Sequence, residues 1–293
     1  MKENQAKLNS ELSICCININ CSTNTMHALA HNIATSDHEY DIILVQEPWW
    51  NGNFTTSFQG WQVILPSPTN KEHNHPRVAA YFRLQAGIDI TLRTDISTDL
   101  DFMIMDVKWE GLKHPPTHII NLYNQTEPGE SQDPGYTTDR LAQVHFHPEI
   151  PTVITGNWNL HHNLWNSVIE IEATPARTQE VVDWLEGQGF NLCSEKDKHT
   201  RTGSGTQWDT TINLTFANET AFGQGLVRDH DMNPNLALLL DHHALTFKLR
   251  DPRETVNNLS KAKYNWKEAK EEDFIEVLKQ TLHEDDTTFD STI

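Results

Sequence analysis

Lysine and arginine are scarce in this chain. Its 293 residues carry 22 basic side chains against 41 acidic ones, a formal net charge of −19. Affinity for a nucleic-acid backbone rests on basic groups that displace condensed counterions, so tight non-specific DNA binding is not expected. Part of the acidity sits in residues 267–293, which hold nine acids and three lysines; the 19 basic and 32 acidic residues before them are still unbalanced. Most of this excess reads as a solvated surface that keeps the chain soluble. Cysteine is also rare. Cys15, Cys16, Cys21 and Cys193 form no CxxC pair, which argues against a zinc knuckle and against a disulfide framework. No apolar run approaches the ~20 residues of a membrane-spanning helix. Met1 to Glu11 lacks the apolar centre of a secretory signal. The expectation is an intracellular, reduced protein with no membrane partner.

What the chain does have is many short apolar runs. A hydrophobic fraction of 37% with nine Trp suffices for the core of one large domain. Strands are predicted at 12–19, 41–46, 61–65, 78–84, 88–92, 102–109, 117–123, 211–216 and 244–249, with another around Val153-Ile154-Thr155. The run 41–46 is continuously apolar, as in a strand covered on both faces. Met26, Leu29 and Ile33 recur at helical spacing, predicting a helix over 25–36. A second helix is predicted over 177–186, stopped by Gly187 and Gly189, and a third over 138–145. Strands and helices intermix, which favours a layered α/β sandwich over a bundle. Residues 1–11 read as a polar extension, 12–250 as the domain, and 251–293 as a linker followed by an acidic helix.

The polar residues that close the apolar runs carry the functional signal. Gly156-Asn157-Trp158-Asn159 ends one run, and side-chain alternation predicts that Asn157 and Asn159 point the same way. Gly156 allows a tight turn or a close backbone approach. Asn18-Ile19-Asn20 ends the first run, Glu47 the second, and Asp241-His242-His243 follows Leu239-Leu240. Four strands ending in polar or acidic groups describe an active site on the rim of a sheet. His145, His147, His161 and His162 raise a zinc alternative, but no ligand spacing among them is distinctive.

Taken together, Ile17-Asn18-Ile19-Asn20, Val45-Gln46-Glu47-Pro48-Trp49, Ile120-Asn121-Leu122-Tyr123-Asn124, Thr155-Gly156-Asn157-Trp158-Asn159, Ile212-Asn213-Leu214 and Leu240-Asp241-His242 resemble the endonuclease/exonuclease/phosphatase family. They look most like the endonuclease domain of fungal non-LTR (LINE-type) retrotransposons. The resemblance implies a four-layered α/β sandwich, two packed mixed β-sheets flanked by helices. It implies Mg²⁺ (or Mn²⁺) at Glu47, with Asn18 and Asn20 in the metal's surroundings and Asn18 also on a phosphate oxygen. Tyr123 and His242 would bind or protonate the phosphate, with Asp241 beside the His, and Asn159 would help place the nucleophile. DNA is the implied partner and the nucleus a plausible location. In that family a segment similar to Tyr264-Asn265-Trp266-Lys267 precedes a reverse transcriptase, which is expected to be absent from this chain.

The departures bear on chemistry. The family reads Gly-Asp-x-Asn, Ile-Asp-Leu and Ser-Asp-His where this chain has Asn157, Asn213 and Leu240. An amide takes no proton near neutral pH and carries no charge. The expectation is therefore an impaired endonuclease with a weakly bound metal, a decayed element copy. A non-catalytic interaction module and a phosphomonoesterase of the same superfamily are the alternatives.

Overall fold

Every residue of the apolar run that ends at Gln46 is buried, yet neighbours in it face two different cores. Ile42 and Leu44 pack into one hydrophobic cluster, Ile43 and Val45 into another. The strand is thus covered on both faces, as its composition predicts. The computed structural model describes residues 11–35, 40–51, 55, 57, 59–66, 75–84, 87–109, 115–125, 135–170, 174–203, 208–233, 236 and 241–251. Contacts divide the chain into Met1–Pro252 and Arg253–Ile293. Everything below belongs to the first unit; the predicted extension before residue 11 and the predicted terminal helix lie outside the described residues.

The chain opens with β1 (Glu11–Asn18), α1 (Thr23–Thr35), β2 (Ile42–Gln46), β3 (Trp61–Ile64) and β4 (Val78–Arg83). There follow β5 (Ile88–Leu92), β6 (Phe102–Trp109), β7 (Thr117–Tyr123), α2 (Thr137–Leu141) and β8 (Thr152–Asn157). Then come α3 (Ala176–Gly187), β9 (Phe190–Leu192), β10 (Asn213–Asn218), α4 (Glu219–Gly223), β11 (Val227–Asn233) and β12 (Ala244–Arg250). Two six-stranded sheets result, ordered β11-β12-β1-β2-β4-β3 and β5-β6-β7-β8-β10-β9. In each, the central pair is parallel (β1 with β2, β7 with β8) and every other pair is antiparallel. The two sheets share one pattern, although no repeat is visible in the sequence.

Three apolar layers hold this arrangement. Ile14, Leu44, Ile119, Val153 and Phe247 fill the space between the sheets. Met26 and Leu29 of α1 cover the outer face of the first sheet with Ile17, Val45 and Tyr81. Leu141 of α2 and Val181, Val182 and Leu185 of α3 cover the outer face of the second with Ile120, Leu122 and Ile154. The architecture is a sandwich of two mixed sheets with helices outside. Helix α3 stops where its glycines predict, with Gly189 at φ +70° and its N–H donating to Glu186 O. The predicted third helix shrinks to α2, and β9, α4 and β11 had no clear apolar signature. β11 (Val-Arg-Asp-His-Asp-Met-Asn) is an edge strand, largely solvent-facing, with a register shift between Arg228 and Asp231.

One buried amide ties the sheets together. Asn121 Nδ2 donates to Val45 O at 3.1 Å and Ala79 O at 2.9 Å, and its Oδ1 accepts from Gln46 Nε2 at 2.5 Å. These bonds satisfy polar groups that would otherwise be stranded in an apolar layer. They also fix β7 against β2 and β4 directly beneath the polar rim.

Candidate active site

Sheet register aligns the rim residues in two rows. In the second sheet Tyr123 pairs with Asn157, and Asn157 with Asn213. In the first, Asn18 pairs with Gln46 and Gln46 with Val78, so Asn18, Glu47 and Arg77 leave the sheet at the same edge. The rows meet at Arg77. Its guanidinium carbon lies 4.2 Å from the Tyr123 ring centroid, and its Nη2 donates to Glu47 Oε1 at 2.7 Å. Asn18 Nδ2 donates to the other carboxylate oxygen, Oε2, at 3.0 Å. Glu47 sits at φ +48°, held by its N–H on Arg77 O and by Cys21 N–H on its carbonyl, both at 2.8 Å.

Asp241 and His242 enter from the start of β12, which runs antiparallel to β1 and so begins beside the end of β1. His242 Nδ1 lies 3.4 Å from Asn213 Oδ1. Asn213 Nδ2 is committed to His243 O at 3.2 Å and, more loosely, to Thr200 O at 3.5 Å. That network turns the amide oxygen toward the ring, which assigns the proton to Nδ1 and leaves Nε2 unprotonated. Burial pushes the His242 pKa down; Asp241 and Glu47 oppose this and Arg201 adds to it. His242 is therefore a neutral ring at neutral pH. Burial likewise raises the Tyr123 hydroxyl, with Glu47 adding to the effect and Arg77 opposing it, so the phenol stays protonated.

The strand on which alternation is expected for Asn157 and Asn159 stops at the first of them. β8 ends at Asn157, and Asn159 takes φ +49° with its N–H donating back to Asn157 Oδ1 at 3.1 Å. Asn159 Nδ2 then holds Asn124 O at 2.8 Å. Asn18 and Asn20 repeat the turn: Asn20 is at φ +49° and donates to Asn18 Oδ1 at 2.8 Å. The short polar side chain tolerates this left-handed backbone and closes a local turn. Gly156 makes its close approach to protein, not ligand. At φ +147°, a Cβ there would meet Leu122 O at 2.0 Å. The Asp-His pair directly precedes β12, and Leu239 and Leu240 before it lie outside the described residues.

Two basic residues reach the rim without a sequence signal. Arg77 precedes β4, and Arg201 donates through Nε to Asp241 Oδ2 at 2.8 Å. Both arrive from segments distant in the chain from the carboxylates they meet. Beside the rim, His161, His199, Arg201, Trp208 and Thr210 help line an open cavity of about 910 Å³, and Trp208 is 82% exposed. Glu47, the expected metal ligand, presents the carboxylate held between Arg77 and Asn18. No group of three or more His, Cys, Asp or Glu suited to a metal occurs among the described residues. A hard ion bound mostly through water can use one carboxylate. Here one donor already sits on each oxygen, Arg77 on Oε1 and Asn18 on Oε2. In the zinc alternative, His162 is engaged with Gln179 Oε1 and with Leu164 N–H, a structural role.

Residues 117–246 match a family model described as endonuclease-reverse transcriptase. The endonuclease domain of TRAS1, a telomere-specific non-LTR retrotransposon, is similar in structure with a TM-score of 0.63 at 17% identity, over 83% of this chain and 99% of that one. The chain has the endonuclease/exonuclease/phosphatase fold. Humanized D. rerio TDP2 shares that fold with a TM-score of 0.52 at 15% identity, over 83% of this chain and all (100%) of that one. No curated protein matches the chain in sequence. Within the endonuclease/exonuclease/phosphatase fold, the family match spans β7 to β12 and so includes Tyr123, Asn157, Asn213 and His242, while Asn18 and Glu47 lie before it. No helix among the described residues is long and apolar enough to cross a membrane.

Proposed function

We propose that this chain is a DNA phosphodiesterase domain of the retrotransposon endonuclease type, acting in the nucleus, whose catalysis is impaired by Asn157 and Asn213. The observation that carries the reading is the row Tyr123–Asn157–Asn213 with His242 Nδ1 on Asn213 Oδ1 and Glu47 across from it. A divalent cation, Mg²⁺ or Mn²⁺, held at Glu47 would neutralise phosphate charge. Tyr123, kept protonated, donates its hydroxyl to a phosphate oxygen. Asn18 and Asn159, fixed by their turns, orient Glu47 and the loop after β8. The cavity bearing Arg201 and exposed Trp208 offers stacking surface to an unpaired base, which favours a nucleic acid over a small phosphomonoester.

The amides remove two functions. Asn157 cannot accept a proton from water. Asn213 keeps His242 in one tautomer but offers no charge to sustain an imidazolium, and burial already disfavours that form. The same Asp→Asn change behind the His of a serine-protease triad lowers turnover about 10⁴-fold. The two losses act on one unit and need not multiply.

A plasmid-nicking assay tests this. The wild-type chain should nick supercoiled DNA barely above background with Mg²⁺ or Mn²⁺. Asn157→Asp with Asn213→Asp should nick faster than either single change, and Glu47→Ala in that background should abolish the gain. A folded double variant that binds metal and still does not nick would sink the assignment of the amides as the lesion.

A further inference from the structure

Each carboxylate that the sequence places on the rim is already matched by an arginine. Arg77 meets Glu47 at 2.7 Å and Arg201 meets Asp241 at 2.8 Å. Asn157 and Asn213 add no charge. A dication therefore meets at Glu47 a carboxylate that an arginine already neutralises, although the chain as a whole carries −19. Both oxygens of Glu47 also accept hydrogen bonds, Oε1 from Arg77 and Oε2 from Asn18.

The Arg77 contact is built into the fold. The backbone of residue 47 donates to the carbonyl of residue 77, and Arg77 N–H in turn donates to Leu100 O, both at 2.8 Å. The guanidinium plane rests on the Tyr123 ring, which limits the rotamers it can lose on pairing. The two charged side chains are only 28% and 15% exposed, so solvent screens the pair less than it would a surface contact. Asn18 is a neutral donor held in its turn by the Asn20 N–H; Arg77 carries a full charge that a metal would have to confront.

We propose that Arg77 is the resident cation of Glu47 and that a divalent ion binds there only by displacing it. This rests on the reading of Glu47 as the metal site. It makes Arg77 a determinant of metal affinity, setting the ion concentration at which the site loads.

The test is calorimetric titration of Mn²⁺ into the full chain, with folding checked by thermal unfolding. Arg77→Ala should bind about tenfold more tightly than wild type, the usual scale for loss of one partly buried, hydrogen-bonded charge. Arg77→Met, which keeps an apolar stem against Tyr123, should do the same and serves if the alanine variant does not fold. Arg77→Lys should stay near wild type. Glu47→Ala should remove binding in every background. Affinity unchanged or weaker in the folded Arg77→Ala and Arg77→Met variants overturns the displacement and leaves the metal reading standing. An absence of Glu47-dependent binding in all variants overturns both.

Discussion

Asn213→Asp should trade stability for a charged His242. Asn213 is 2% exposed, and its Nδ2 faces two carbonyl oxygens, His243 O at 3.2 Å and Thr200 O at 3.5 Å. A carboxylate oxygen in that place is an acceptor aimed at acceptors. Losing the shorter bond and stranding the group costs about 1–3 kcal/mol, and the longer contact adds a fraction of that, for roughly 2–4 kcal/mol. The other oxygen, opposite His242 Nδ1, gains a charge that favours imidazolium. The pH dependence has a definite sign. The introduced carboxyl, buried in the folded chain, would titrate above its unfolded value, so the unfolded state ionises more readily and the penalty grows as pH rises. Once protonated, its hydroxyl can donate to a carbonyl and the penalty fades. Urea unfolding followed by Trp fluorescence should therefore show the variant about 2–4 kcal/mol less stable at pH 8 and closer to wild type at pH 5. NMR titration should find the His242 pKa higher than in wild type. Equal stability at pH 8, or a penalty that grows toward acid, would refute the assigned orientation of the amide.

Other consequences are simpler. Gly156→Ala should cost about 3–5 kcal/mol, because φ +147° is strained for any Cβ and the added carbon would lie 2.0 Å from Leu122 O; Gly187→Ala, with nothing within 4 Å, should change stability by under about 1 kcal/mol, and comparable denaturation midpoints for the two would remove the steric argument. His230, stacked on Phe247 and bonded to Thr215 Oγ1 at 3.0 Å, has its pKa lowered by burial to about 4. The unfolded ring takes a proton near 6.5 and the folded one only near 4, so stability is lost as pH falls through that window, by about 3 kcal/mol at 1.36 kcal/mol per unit. His230→Phe should flatten the stability profile there by that amount; an unchanged slope would show that the ring protonates freely in the folded state.

The elements with a local apolar pattern were legible in sequence. β2, β6, β7 and β12 are buried runs, α1 repeats at 3.6 residues, and α3 stops at its glycines, because side-chain alternation and helix termination are properties of neighbouring residues. β11 was not legible, since a bulged edge strand that exposes Arg228, Asp229 and Asp231 and turns Val227 and His230 inward shows no apolar alternation. The identities that bear on chemistry, amides at 157 and 213 and a single carboxylate at 47, were fixed by sequence outright. Their local geometry was not: β8 ends at Asn157, so strand alternation does not carry to Asn159, where a side-chain hydrogen bond to the backbone turns the chain. Only the tertiary structure brought Arg77 to Glu47 and Tyr123, Arg201 to Asp241, and Asn121 across the sheets. Those contacts join residues 30 to 76 positions apart in the chain, where no periodicity can signal a partner. Sequence thus determined which groups the site possesses, and the packing of two sheets decided which of their charges are already neutralised.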